Sequence, residues 1–308
     1  MGNIENKKVV CIYHSADLDG WMSAAIVKLW AKLENIQIDF IGWNYGQSIP
    51  DCTGYDEVMM CDISFPKGEM LKIWTTRSNL IWIDHHISAI TEINLLWEIS
   101  QIKCLEGLRD VSFSACELTW KYFFPTVKIP EIVRLLGRYD CFGHKGTPEE
   151  KKVLEFQYGA RQFITNYDEA FLHIEHYLTN TEYQFLKNQV NVAAILEKGK
   201  TIYEYLITKA KQIWKRAYEI NLLTESQGVI KIACLNEERF NPINFGIDYH
   251  AEGYGAVLCY WYEDQKWKFS AYNEDGNVDC SILAKSFGGG GHKGAAGFVS
   301  KTIEEWTK

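Results

Sequence analysis

The first third of the chain alternates short, wholly apolar runs with longer amphipathic stretches. Val9-Val-Cys-Ile-Tyr13 is rich in β-formers and predicts a strand, and the stretch from Asp17 through Trp30 has helical spacing. Residues 36–43 predict a second strand, Glu57–Cys61 a third and Asn79–Ile83 a fourth, with a helix over 66–76 before the last. Strands alternating with helices across short loops predict βαβ units and a parallel sheet. Helical spacing returns from Ser112 to Trp120 and from Pro130 to Arg138, and residues 149–187 read as helical and polar. Leu196 to Arg216 predicts a long amphipathic helix. Beyond it the pattern turns to strands at 228–234, 255–262 and 267–272, then a helix at Ser281–Phe287 that runs into a glycine-rich turn. The expectation is an α/β protein: a parallel-sheet domain over 1–187, a linker helix over 188–218 and a smaller α/β domain over 219–308, with a cleft between the two.

Polar residues cluster where the apolar runs stop. His14-Ser-Ala-Asp17-Leu-Asp19-Gly20, Cys61-Asp62, Asp84-His85-His86 and Gly137-Arg138-Tyr139-Asp140 each follow a strand-like or helix-like run. In open parallel sheets, ligands gather beyond the carboxyl ends of the strands, which is where His14, Asp62 and Asp84 would lie. Together the four segments offer five aspartates and three histidines, a donor set suited to two divalent cations. A single Asp after a strand is more often a helix cap than a ligand. The ordered recurrence at element ends is what points to metal-assisted hydrolysis of a phosphate ester.

Composition narrows this further. At 308 residues, the chain can bury a sizeable core. Its formal net charge of −8 argues against coating long duplex nucleic acid, but not against a short anionic substrate. Nine cysteines without a CxxC pair, several inside apolar runs, favour a reducing, cytoplasmic compartment over a disulfide framework. No run is long and apolar enough to suggest a membrane span.

The four segments resemble, in order, the motifs of the DHH phosphoesterase superfamily, with Asp84-His85-His86 as the signature. Gly288-Gly-Gly-Gly-His292-Lys-Gly-Ala-Ala-Gly297-Phe298 is similar to the glycine-rich signature of its C-terminal DHHA1 domain. The resemblance implies a DHH catalytic domain before the linker helix and a DHHA1 substrate-binding domain after it. It implies two divalent cations, Mn²⁺ before Mg²⁺, one on His14 and Asp17 and the other on Asp19, His85 and Asp140, with Asp62 bridging. Asp84 would be a ligand or would orient a histidine, and His86 would meet the scissile phosphate. Gly289, Gly290, Gly291, His292 and Lys293 would bind substrate, the glycines as an anion nest. The chain departs from the pattern at Tyr272, where DHHA1 domains often carry an arginine; the bidentate phosphate contact is then missing or supplied elsewhere, with Arg138, Arg161 and Lys293 as candidates, and Tyr272 could instead stack on a base.

The implied activity is that of a nanoRNase-like phosphodiesterase, RecJ-related, acting on short single-stranded oligonucleotides or small nucleotides, with a homodimer as a compatible assembly. Cyclic-dinucleotide phosphodiesterase and 3′,5′-bisphosphate nucleotide phosphatase are the alternatives, and inorganic pyrophosphatase or a non-catalytic nucleotide-binding protein rank below them. His173 and His176, at helical spacing, read as an exposed helix face, and His144 as a loop residue near Asp140.

Overall fold

The computed structural model describes residues 7–76, 79–100, 105–178, 182–224, 228–238, 240–274 and 277–302. Its opening elements are β1 (Val9–His14), α1 (Leu18–Glu34), β2 (Ile38–Trp43), β3 (Glu57–Cys61), α2 (Lys67–Thr76), β4 (Leu80–Ile83) and α3 (Ile87–Ser100). The four strands form a parallel sheet in the order β2-β1-β3-β4. Both faces of it are covered, and the period of two along each strand decides which face a residue serves. Val10 and Ile12 join Val58, Met60, Leu80 and Trp82 in one cluster, while Val9, Cys11 and Tyr13 join Met59, Cys61, Ile81 and Ile83 in the other. Burial on both faces is why these runs are apolar throughout.

Helices α4 (Ala115–Phe123), α5 (Glu131–Asp140), α6 (Glu150–Ala160) and α7 (Tyr167–Ile174) pack with α1 around a core that includes Trp120 and Phe156. Ser114 starts α4 with a reciprocal capping box to Glu117. The long helix α8 (Glu182–Trp214) presses Ile195 into the same core. It meets α6 at two glycines: a Cβ on Gly199 would lie 1.7 Å from the Glu155 carbonyl oxygen, and one on Gly159 2.1 Å from that of Ile195.

The chain divides into two compact units, Met1–Ile202 and Tyr203–Lys308, with α8 contributing residues to both. The second holds β5 (Tyr218–Thr224), β6 (Gly228–Asn236), β7 (Ala256–Glu263), β8 (Lys266–Tyr272), α9 (Cys280–Ser286), β9 (Gly290–His292) and β10 (Ala295–Ser300). Its six-stranded sheet runs β5-β6-β7-β8-β10-β9, antiparallel except where β6 meets β7. Among the described residues, no helix is long and apolar enough to cross a membrane.

The expected strands and most helices are present with small shifts at their ends. Four elements had no counterpart in the sequence reading: α3, the edge strand β5, and β9 and β10, which fall in and after the stretch read as a glycine-rich turn. Positions 179–181 of the expected helical stretch lie outside the described residues.

Candidate metal centre

The strand order reverses direction at β1, so the switch point lies between β1 and β3, where a parallel sheet opens a crevice at its carboxyl end. His14 ends β1 and Asp62 follows β3, and their side chains approach to 3.4 Å between Nδ1 and Oδ2. Asp62 adopts a left-handed backbone with φ of 62°, uncommon outside glycine. Its amide donates to the Ile83 carbonyl at 3.0 Å, and the residue is buried.

The first loop is equally constrained. Asp17 caps α1, its Oδ1 accepting from the Gly20 amide at 3.0 Å, while its Oδ2 lies 3.0 Å from His14 Nδ1. Gly20 sits so close to the end of β1 that a Cβ there would stand 1.9 Å from the His14 carbonyl oxygen. This close approach lets Asp19 reach inward. Its carboxylate, 3% exposed, accepts from the amides of Ala115 at 2.9 Å and Cys116 at 2.8 Å, the positive end of α4.

His85 Nε2 joins three carboxylates: it lies 3.1 Å from Asp140, 3.4 Å from Asp62 and 3.7 Å from Asp19. Asp84 curls around its successors, its Oδ1 accepting from the amides of His85 at 2.7 Å and His86 at 3.1 Å. The same oxygen lies 2.7 Å from His86 Nδ1, and because it already accepts from two amides, Nδ1 is the matching donor. All eight residues of the four segments therefore meet at one end of the sheet.

The electrostatics of this cluster are those of too many like charges in too little water. Burial pushes the Asp62 carboxyl well above its ordinary range, with Asp19 and Asp17 adding to it, and burial and Asp19 do the same to Asp140. Burial opposes charge on His14, but Asp17 and Asp62 outweigh it and raise its pKa to about 10. Burial likewise opposes charge on His86 and His85; Asp84 outweighs it at the first, and Asp19 with Asp140 at the second. Three buried atoms, His14 Nδ1, Asp62 Oδ1 and Asp84 Oδ2, have no partner with hydrogen-bonding geometry, the short His14–Asp17 approach notwithstanding. In three groups, His14–Asp17–Asp62, Asp19–His85–Asp140 and Asp62–His85–His86, the donor atoms lie within 4.8 Å of one another and could hold a cation. Orphaned lone pairs and surplus negative charge are what a divalent cation would satisfy.

The glycine signature takes a different form from the expected nest. Gly290–His292 is an edge strand paired with β10 in the register His292↔Ala295, Gly291↔Ala296 and Gly290↔Gly297. The Gly289 amide donates to the Ala284 carbonyl at 2.8 Å, so it is committed within the fold. His292 and Lys293 are exposed beside it.

Of the other candidates, Arg138 is held by Glu149 at 2.9 Å. Arg161 rests on the rings of Tyr158 and Tyr139 and has no ion pair among the described residues. His144 is buried, with Nδ1 2.9 Å from the Arg138 carbonyl and its ring stacked on Tyr139. His173 departs from the exposed face expected of it: it is half-buried and lines a cavity of about 560 Å³ with Ile132, Tyr177 and Leu196. Sequence reading missed Tyr45, Asn44 and Ser15, which border the cluster from the loop after β2 and the loop after β1.

No family model matches the sequence. The uncharacterized protein R106 of Acanthamoeba polyphaga mimivirus is 25% identical over 320 aligned positions, spanning 96% of this chain and 68% of R106. An exopolyphosphatase-related protein from Bacteroides fragilis superposes with a TM-score of 0.50 at 15% identity, over 97% of this chain and 88% of that one. The pGpG-specific phosphodiesterase PggH of Vibrio cholerae covers 97% and 95% at 14% identity, with a TM-score of 0.48. The exopolyphosphatase-related protein shares the mixed α/β fold of this chain, with its parallel sheet, as the sequence predicted.

Proposed function

We propose that this chain, built on the DHH fold, is a phosphodiesterase that hydrolyses short oligonucleotides or small nucleotides with two divalent cations, Mn²⁺ being the better match to its three histidines. The observation that carries this reading is the overlap of the three donor groups, of which Asp62–His85–His86 shares Asp62 with one neighbour and His85 with the other, and the buried lone pairs left unpaired. His14, Asp17 and Asp62 would hold one cation and Asp19, His85 and Asp140 the other, with Asp62 common to both. Bound cations would supply charge neutralisation at the phosphoryl oxygens and a water of lowered pKa.

The chain's own groups do the rest. Asp84 fixes the tautomer and orientation of His86, whose Nε2 is then able to hold or pass a proton at the leaving oxygen. Asp19, pinned by the α4 amides, keeps its carboxylate in place without reorganisation. In the second unit, His292 and Lys293 supply a donor and a positive charge for substrate. The eight described cysteines are free thiols, which fits a reducing cytoplasmic setting.

Cyclic-dinucleotide and bisphosphate-nucleotide hydrolysis would draw on the same centre. The test is turnover of a matched panel with Mn²⁺: an RNA dinucleotide, a long single strand, a cyclic dinucleotide, a 3′,5′-bisphosphate nucleotide, pyrophosphate and a short polyphosphate. Fastest cleavage of the dinucleotide supports the reading. Silence across the panel with metal demonstrably bound defeats it. His292→Ala should raise KM and leave kcat nearly unchanged, since it lies outside the donor cluster.

A further inference from the structure

One aromatic ring lies across the carboxyl end of the parallel sheet. β2 and β3 flank β1, so the loops that follow them stand two strand spacings apart, about 10 Å, with His14 between them. Tyr45, in the loop after β2, crosses that gap. Its ring is tilted against His14 at 6.3 Å between centroids and meets buried Trp43 edge-on at 5.6 Å. Its hydroxyl reaches Ser64, two positions past Asp62, and is engaged there by the backbone amide at 3.4 Å and by the side chain.

The backbone that carries the ring is fixed as well. Asn44 Oδ1 accepts from the Ser15 amide at 3.1 Å and the Ser15 hydroxyl at 3.2 Å, one residue beyond His14. The loop is closed on itself: the Asn44 amide donates to Gln47 Oε1 at 2.9 Å, and the Gln47 amide to the Asn44 carbonyl at 3.1 Å. Trp43, His14 and Ser64 all belong to the end of the sheet and take up the inner side of Tyr45. The residue is nevertheless 55% exposed, so its open surface looks away from the sheet, over the crevice that holds the donor cluster. An aromatic face held in one orientation before a ligand arrives stacks a planar ring at little entropic cost. Phosphate chains offer no such ring, whereas every nucleobase does.

We propose that Tyr45 is a specificity residue whose ring stacks on the nucleobase next to the phosphate seated at the donor cluster. This rests on the phosphoester-hydrolase reading above and narrows its substrates to nucleotides, setting them apart from bare phosphate chains. Stacking far from the reacting atoms is made equally in the ground state and the transition state, so it acts on KM and leaves kcat alone.

5′-AMP and ribose 5-phosphate share a phosphate and a sugar, differ by the base, and need no turnover. With Mn²⁺ present, calorimetry should find AMP bound by the wild type about tenfold more tightly than ribose 5-phosphate. Tyr45→Leu should erase that preference and leave the affinity for ribose 5-phosphate unchanged. Tyr45→Phe, which keeps the ring, should retain it. In turnover, Tyr45→Leu should raise KM for the RNA dinucleotide about tenfold at nearly constant kcat. Equal binding of the two probes by the wild type overturns the proposal, as does a preference for AMP that survives in Tyr45→Leu. A Tyr45→Leu protein that loses affinity for both probes alike, or loses the Mn²⁺-induced rise in Tm, overturns it too, because the ring would then serve only to hold the loops. A wild type whose preference for AMP depends on Tyr45, but which turns over no member of the panel, would defeat the hydrolase reading and leave the stacking platform standing.

Discussion

Asp62 concentrates the chemistry of this protein in one residue. It is buried, left-handed in its backbone, within reach of His14 and His85, and has an oxygen without a partner. Its raised pKa means that the ionised carboxylate costs the fold stability at neutral pH, because the folded state binds the proton more tightly than the unfolded chain does. Asp62→Asn should therefore raise Tm in chelator, while turnover falls on the order of 10³-fold. A variant that is less stable in chelator, or that keeps its turnover, would contradict this account of Asp62. The donors themselves were legible in the sequence, since Asp and His at the ends of apolar strands stand out from their surroundings. Asn44 and Tyr45 did not, because what gives them meaning is contact with the loop after β1, 29 positions away between Ser15 and Asn44, and their own loop has no local pattern. The curl of Asp84 onto the amides of His85 and His86 was hidden for a similar reason, being a contact made only in the folded loop.

Elements came through the sequence in proportion to how many side chains they bury. β1, β3 and β4 are apolar on both faces and were located almost to the residue. The edge strand β5 offers only Tyr218, Ile220 and Leu222 on one face, too short an alternation to recognise without its partner β6. β9 has two glycines in three residues and is defined by backbone pairing alone, so the sequence suggested a loop. Glycines also decide how elements meet. Gly199→Ala would force α8 away from the Glu155 carbonyl and should cost about 1–3 kcal/mol, read as a lower urea midpoint with an unchanged slope. Gly20→Ala meets an equally rigid carbonyl, but at the donor cluster, so its mark should be loss of the Mn²⁺-induced rise in Tm. If both variants merely lost stability and kept a full Mn²⁺ response, the placement of Asp19 by that close approach would be refuted.

For the molecule as a whole, charge sets the response to its surroundings. Arg134 bridges Glu131 and Glu149, Lys152 reaches Glu131, and Arg138 reaches Glu149. Hydrogen bonding to Arg134 holds the Glu131 carboxyl at about 2. A depressed carboxyl contributes stability above its unfolded pKa and loses it as the pH falls toward the folded value. Glu131→Gln should thus be less stable than wild type at pH 7, by about 0.5 kcal/mol for so exposed a group, and indistinguishable from it near pH 2. A divalent cation held by the donor cluster would act on the molecule through linkage: Mn²⁺ at 100 times its Kd would add about 2.7 kcal/mol, and chelator would remove it. A Tm indifferent to both would leave the donor cluster without its occupant.

The two amides that α4 gives to Asp19 turn that helix into a gauge of the centre. Each time the carboxylate shares its lone pairs with another positive centre, the protons on Ala115 and Cys116 lose part of their acceptor. Their resonances should move upfield in a titration that leaves the rest of α4 untouched. Magnesium would serve for that experiment, being diamagnetic, and the spectrum would then count occupancy at a single carboxylate without any substrate present.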